Sequence, residues 1–316
     1  MLKNEKKIPV ILDGDPGHDD AIAWTIAAAC PELDVLAVTS VAGNQTIEKT
    51  TLNAAKILTL VDLHVPLAKG DARPLFVDPI VAPSVHGKTG LDGPALPEPE
   101  VPVLEGGAVR LMAETLEQAT EPVTIIASGP LTNVAKLLLL YPHLKTKIKQ
   151  ISFMGGGIDF GNWTPAAEFN ILVDPEAADI VLRSGLPLYM AGLDVTERAL
   201  IMPDEFEKIR SLGTPIAEIV AEWLHFFYTF HAEKGYTGAP VHDAVAVAAI
   251  LRPDLLDIVP MHVVVELDGE HTRGATIGDR FRMSGKAANV HVCMGVNREA
   301  FFTWVYEHVA TYGGTR

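Results

Sequence analysis

Short apolar runs rich in β-branched residues alternate along the chain with stretches whose apolar positions recur at helical spacing. Ile8 to Leu12 reads as a buried strand, and Asp19 to Cys30, rich in Ala and Ile around Trp24, as the helix after it. Val35 to Val41 followed by Thr46 to Leu60 repeats the pattern, as does Val123 to Ala127 followed by Leu131 to Leu140. Ile148 to Met154 begins a fourth unit. Strands apolar on both faces, each followed by a helix, predict an α/β fold. Its core would be a mostly parallel, open, Rossmann-like sheet with helices on both sides and right-handed crossovers.

Two stretches break the rhythm. Asp71 to Pro102 carries many Pro and Gly residues without sustained periodicity and reads as a long flap loop, the kind that often covers an active site. Ser211 to Pro240 is an aromatic helical segment (Trp223, His225, Phe226, Phe227, Tyr228, Phe230) ending in a turn at Gly235 to Gly238. The late runs Ile258 to Leu267 and Asn289 to Cys293 read as extra short strands in an appended antiparallel element. No linker or repeat interrupts the 316 residues, so the expectation is a single domain over 1–316, and 48% hydrophobic residues suffice for a sizeable core.

Charge narrows the partners. With 25 basic against 40 acidic residues the net charge is −15, which leaves little to neutralise phosphates and argues against nucleic acid and anionic membranes. Cys30 and Cys293 are too few for a disulfide framework. No apolar run approaches the ~18 residues of a membrane span, and the charged N-terminus lacks a signal pattern. A soluble, cytoplasmic protein is expected.

The candidate chemistry concentrates after the first strand, in Asp13-Gly14-Asp15-Pro16-Gly17-His18-Asp19-Asp20. In an open parallel sheet, ligands bind at the carboxyl ends of the strands. Four carboxylates in eight residues repel one another, and a cation or a solvated surface must relieve that repulsion. Hard oxygen donors suit calcium or magnesium. The bland reading places Asp19 and Asp20 in a first helical turn, where the helix dipole favours anions, but it leaves Asp13 and Asp15 unexplained. A second constellation is His242-Asp243 ahead of the apolar helix Val245 to Leu251; Asp243 reads equally as a helix cap, and His242 as a proton donor at a cleft. A third is Met154-Gly155-Gly156-Gly157 with Asn162, Glu168 and Asn170, whose polar ends suit a hydroxyl-rich ligand.

Together these segments resemble the nucleoside hydrolase family, the calcium-dependent nucleoside N-ribohydrolases. DGDPGHDDA matches the family's D-x-D-P-G-x-D-D-A signature, and further blocks follow in family order. They are VAGNQT (41–46), HGKTGLDG (86–93), SGPLTN (128–133), FMGGG (153–157), GNWTPAAEFNILVDPEAA (161–178) and GAPVHDA (238–244). The region from Asp254 onward matches only loosely. The resemblance implies a hydrolase that splits ribonucleosides into base and ribose through an oxocarbenium-like transition state. It implies one Ca²⁺ per subunit held by Asp15, Asp20, Asp243 and the main-chain carbonyl of Ser128, where the family commonly has Thr or Val. A water held there would lose its proton to Asp15, and His242 would protonate a purine leaving group. Asp19, Asn44 and Asn170 would meet the ribose hydroxyls or the water, and Asn162, Glu168 and Met154 the 5′ side. His86 and His242 would lie near the base, with Phe169 against the sugar. Dimers or tetramers are the assemblies the family implies, and His242 points to inosine-uridine or pyrimidine-preferring members. Neither Trp24, in a core-like helix, nor Trp163 stands out as a base-stacking residue.

Two other readings are open at this level. Asp13-Gly14-Asp15 after a strand also resembles the nucleophile motif of haloacid-dehalogenase-like, magnesium-dependent phosphatases, although Gly17 stands where that motif wants Thr or Val. A non-catalytic nucleoside-binding sensor would keep the pocket alone.

Overall fold

The structure is a computed structural model and describes residues 6–314. Seven strands precede residue 192: β1 (Ile8–Gly14), β2 (Leu33–Ser40), β3 (Leu67–Lys69), β4 (Val103–Leu104), β5 (Val123–Ala127), β6 (Ile148–Met154) and β7 (Leu188–Ala191). Six follow: β8 (Leu200–Ile201), β9 (Ala239–Pro240), β10 (Leu256–Met261), β11 (Val263–Val265), β12 (Thr276–Gly278) and β13 (Val290–Val296). Nine of them form one sheet in the order β10-β13-β7-β6-β5-β1-β2-β3-β4. Every pairing in it is parallel except β10 with β13. The predicted parallel α/β sheet is therefore present, with the switch in strand order beside β1 placing a crevice at the ends of β1 and β5.

The helices are α1 (His18–Ala29), α2 (Ile47–Leu60), α3 (Pro83–His86), α4 (Ala108–Gln118), α5 (Thr132–Leu140) and α6 (Phe169–Val173). They continue with α7 (Pro175–Leu182), α8 (Leu193–Thr196), α9 (Pro203–Arg210), α10 (Pro215–Glu233), α11 (His242–Leu251) and α12 (Arg298–Ala310). Strand alternation divides the apolar residues between two cores: Val10 and Leu12 pack with α1, α2 and α9 to α12, whereas Ile11 packs with α4, α5 and α7. Helix α11 is buried along almost its whole length, so its β-branched and Ala residues carry no polar face. Among the described residues no helix is long and apolar enough to cross a membrane.

The late strands correct one expectation. Asn289 to Cys293 does not belong to an appended element. β13 pairs in parallel with β7 and antiparallel with β10, extending the main sheet. The run Ile258 to Leu267 splits at His262, and only β11 forms a separate hairpin with β12. A run apolar on both faces fits a sheet interior, and the alternation read off a sequence does not say which sheet it joins. The loop Asp71 to Pro102 contains one helical turn, α3, and is otherwise irregular.

Phe301 of α12 is fully buried in the same core as α1. Phe301→Ala should cost about 3–5 kcal/mol in urea unfolding while preserving one cooperative transition. Two separated transitions would show instead that the C-terminal part folds apart from the rest.

Candidate active site

Where β1 ends, Asp13 to Asp20 turn back over the sheet edge into α1, and Asp15 and Asp20 lie wholly out of solvent. Gly43 and Gly129 let neighbouring loops close over Asp15, since a Cβ at either would fall 2.1 Å from its Oδ2 or 2.6 Å from its Oδ1. The Asn44 main-chain N–H donates to Asp15 Oδ2 (2.6 Å), leaving Oδ1 buried with no hydrogen-bond partner. Asp20 accepts from Gly17 N–H at Oδ2 (3.0 Å) and from the Ser128 hydroxyl at Oδ1 (2.5 Å). The Ser128 side chain thus joins the site as well as its carbonyl, which accepts from Asn170 Nδ2 (2.9 Å).

Asp19, Asp20 and Asp243 each offer a carboxylate oxygen, and these oxygens lie within 4.8 Å of one another. Asp243 arrives from the first turn of α11, 228 residues after Asp15, and only the packing of α11 beside α1 unites them. The tight triad differs from the expected ligand set: Asp19 stands in it, and Asp15 lies beside it. Burial pushes Asp20 up to about 6, and burial reinforced by repulsion from Asp20 pushes Asp19 up to about 8. Asp15 and Asp243 are held well above the usual carboxylate range by the same causes.

Asp13 does not share the cleft. Its Oδ1 accepts from Thr39 Oγ1 (2.6 Å) and Asn133 Nδ2 (2.7 Å), bracing β1 against β2 and α5 underneath the site. Asp13, 1% exposed and outside the cavity lining, is thus a structural strut and offers no accessible nucleophile of the phosphatase kind.

Above the carboxylates opens a cavity of about 330 Å³. Its lining brings together Asp19, Asn44, His86, Ser128, Met154, Asn162, Glu168, Phe169, Asn170, His242 and Asp243, residues from seven separate sequence blocks. Glu168 caps α6 and accepts main-chain N–H groups of Gly156, Asn170 and Ile171 (2.8–3.1 Å), so it also braces the glycine turn; burial lifts it to about 7. Asn162 Oδ1 accepts from Phe169 N–H (3.0 Å), and Trp163 leans on the Phe169 ring at the rim. Trp24 sits in the core, 2% exposed.

The opposite wall is aromatic and imidazole. His86 stacks near Phe227 and His18, and His18 stacks on Phe226. His242 Nδ1 pairs with Thr196 Oγ1 (2.8 Å), and His231 Nδ1 donates to Phe227 O (2.9 Å). Burial lowers His242 to about 3 and His231 to about 4, and holds His86 well below its usual value, so all three rings are neutral. Phe160, Glu197, Lys234 and Tyr236 also line the cavity and were not foreseen. The aromatic run on α10 signalled a functional face, but Glu197 and Tyr236 meet only through their hydrogen bond (2.6 Å) across 39 residues.

Residues 10–303 match the family described as inosine-uridine preferring nucleoside hydrolase. The chain is 50% identical to the pyrimidine-specific ribonucleoside hydrolases RihA of Photobacterium profundum and Salmonella typhimurium, covering 96% of this chain and 99% of each relative. Among solved structures, it resembles the purine-preferring ribonucleoside hydrolase from Gardnerella vaginalis with a TM-score of 0.90 at 30% identity, over 96% of this chain and 99% of that one. An inosine-guanosine nucleoside hydrolase superposes with a TM-score of 0.87 at 30% identity, over 95% and 98%. With a match over nearly its whole length and this cavity at the β1 and β5 strand ends, the chain belongs to the inosine-uridine preferring nucleoside hydrolase family and is an enzyme that hydrolyses the N-glycosidic bond of ribonucleosides.

Proposed function

We propose that this ribonucleoside hydrolase prefers pyrimidine nucleosides and works with one Ca²⁺ held by its carboxylate cluster. The observation that carries the reading is one cavity with an acidic floor on one side and a wall of neutral histidines on the other. Sequence identity supports the base preference, since relatives 50% identical are named pyrimidine-specific.

The floor suits a hard divalent cation. Asp15 Oδ1 and Asp19 Oδ1 are buried without partners, and the donors are all oxygen, which fits calcium better than zinc. Asp15, Asp20, Asp243 and the Ser128 carbonyl would hold the ion, with Asp19 near enough to join. When bound, the cation offsets the carboxylate charge and orients the ribose hydroxyls and the attacking water.

Asp15 is the base in this reading. The Asn44 N–H fixes one of its oxygens and leaves Oδ1 to take a proton from the water as it attacks C1′. Asn44, Asn162 and Asn170 orient the sugar, with Met154 and Phe169 packing beside it. Positive charge grows on the ribose as the glycosidic bond breaks, and Asp19 and Glu168 favour that cation over the neutral ground state.

The leaving base meets His86 and His242. Their neutrality means that neither holds a ready proton for the leaving group at pH 7, so His242 acts through a hydrogen bond. Hydrogen bonds suffice for a pyrimidine, whose departing anion spreads its charge onto ring carbonyl oxygens. This replaces the expected proton transfer to a purine nitrogen.

Three outcomes follow from this reading. In a reducing-sugar assay, uridine and cytidine should be cleaved with higher kcat/KM than inosine and adenosine; the reverse order would refute the pyrimidine preference. Chelation should abolish turnover and lower Tm, with Ca²⁺ restoring both, whereas full activity after exhaustive chelation would remove the metal from the reading. Asp15→Ala should lose at least about 10³-fold in kcat, because base and cation ligand go together. An ordinary kcat in that variant would disprove its role.

A further inference from the structure

We propose that Asn53 is a positioning residue that locks the arm carrying His86 to the turn carrying Asp15 and Asp20. Asn53 lies on α2, is 4% exposed, and stands outside the lining of the catalytic cavity. Its side-chain amide has two N–H groups, and both are used. One donates to the Pro16 carbonyl and the other to the Thr89 carbonyl, each at 3.0 Å. Pro16 directly follows Asp15 in the carboxylate turn, and Thr89 lies three residues beyond His86.

The surroundings are shaped for this amide. Gln45, just before α2, and Lys49 in its first turn precede it at four-residue spacing, and they donate to the carbonyls of Gly87 (2.8 Å) and Lys88 (2.5 Å). Three consecutive carbonyls of the arm are thus held from α2 and the residue that leads into it. Of these three anchors, only Asn53 also reaches the turn. Gly90 closes around it at φ +91°; a Cβ there would come within 2.8 Å of Asn53 Nδ2 and 3.1 Å of Gln45 Cγ. Two carbonyls facing one point, that of Pro16 buried and that of Thr89 partly so, are met by two donors, which an amide supplies and a carboxylate or alkyl group does not.

The consequence is a fixed separation between the imidazole at the base and the carboxylates at the sugar. Cleavage needs both ends of the nucleoside engaged at once, so slack between them lowers the fraction of bound substrate in reacting geometry. The inference rests on the assignment of His86 to the base side of the cavity.

The test is a double-mutant cycle on kcat/KM for uridine with Asn53→Ala, His86→Ala and the pair, each checked for folding by thermal melting. Asn53→Ala should lower kcat/KM about 10-fold in the natural background. In the His86→Ala background it should cost no more than about twofold, because the arm then has nothing left to place. Equal losses in both backgrounds, or none in the natural one, would overturn the coupling. A His86→Ala enzyme with unchanged kcat/KM would overturn the base-side assignment and the inference with it, while Asp15→Ala still tests the hydrolytic reading separately. Should Asn53→Ala fail to fold, Gly90→Ala, which crowds the same amide from the arm side, enters the cycle in its place with the same expectations.

Discussion

Five carboxyl groups buried around the end of one strand are the constraint on which the rest of the structure depends. Asp13, Asp15, Asp19, Asp20 and Asp243 are each 6% exposed or less, and burial is the largest cause that raises every one of them. Such a cluster persists only where hydrogen bonds, shared protons or a cation offset the lost hydration. The fold supplies the first of these unevenly. Asp20 accepts bonds at both oxygens, whereas Asp13, Asp15 and Asp19 keep one oxygen apiece with none. Of these three Asp19 lines the cavity itself, so part of the demand for a counter-charge lies where the cavity opens.

Several groups that satisfy the cluster also build the pocket. The Asn44 N–H that fixes Asp15 belongs to the loop after β2, and the Ser128 hydroxyl on Asp20 belongs to the loop after β5. Asn170 ties Ser128 to the Met154 carbonyl after β6. Adjacent parallel strands deliver these loops to one edge, which is the geometric reason that an open α/β sheet concentrates function there. Glu168 shows the same economy of parts, capping a helix and bracing a glycine turn while lining the cavity.

The histidine wall works by a different principle. His86 and His242 lose their charge to burial and to neighbouring histidines, and His231 to burial and to Lys234, which leaves hydrogen-bonding imidazoles instead of cations opposite the acidic floor. A protonated wall would neutralise the floor's advantage for a sugar cation, and neutral rings do not. The loop above them is less free than its composition suggests. Its carbonyls from Gly87 to Thr89, and that of Asp92, are held by side chains of α1, α2 and Gln45.

The sequence by itself determined the parallel sheet, through strands apolar on both faces, and the candidate residues, through motif blocks lying at strand ends. The eleven chosen residues that line the cavity were legible because each sits in a local pattern of Gly, Asp, Asn or His. Long-range packing decided the rest. Asp13 and Asp15 are indistinguishable in sequence, yet the reach of Thr39 and Asn133 turns one into a strut at the end of β1, while the other, past the strand, accepts from the Asn44 main-chain N–H. Asp19 joins Asp20 and Asp243 because α11 packs beside α1. β13 enters the main sheet because β7 offers it a parallel edge. His242 stays neutral because the fold surrounds it. Residue type and local spacing name the groups that can do chemistry, but their protonation and their neighbours depend on burial and on contacts hundreds of residues apart, which exist only once the chain has packed.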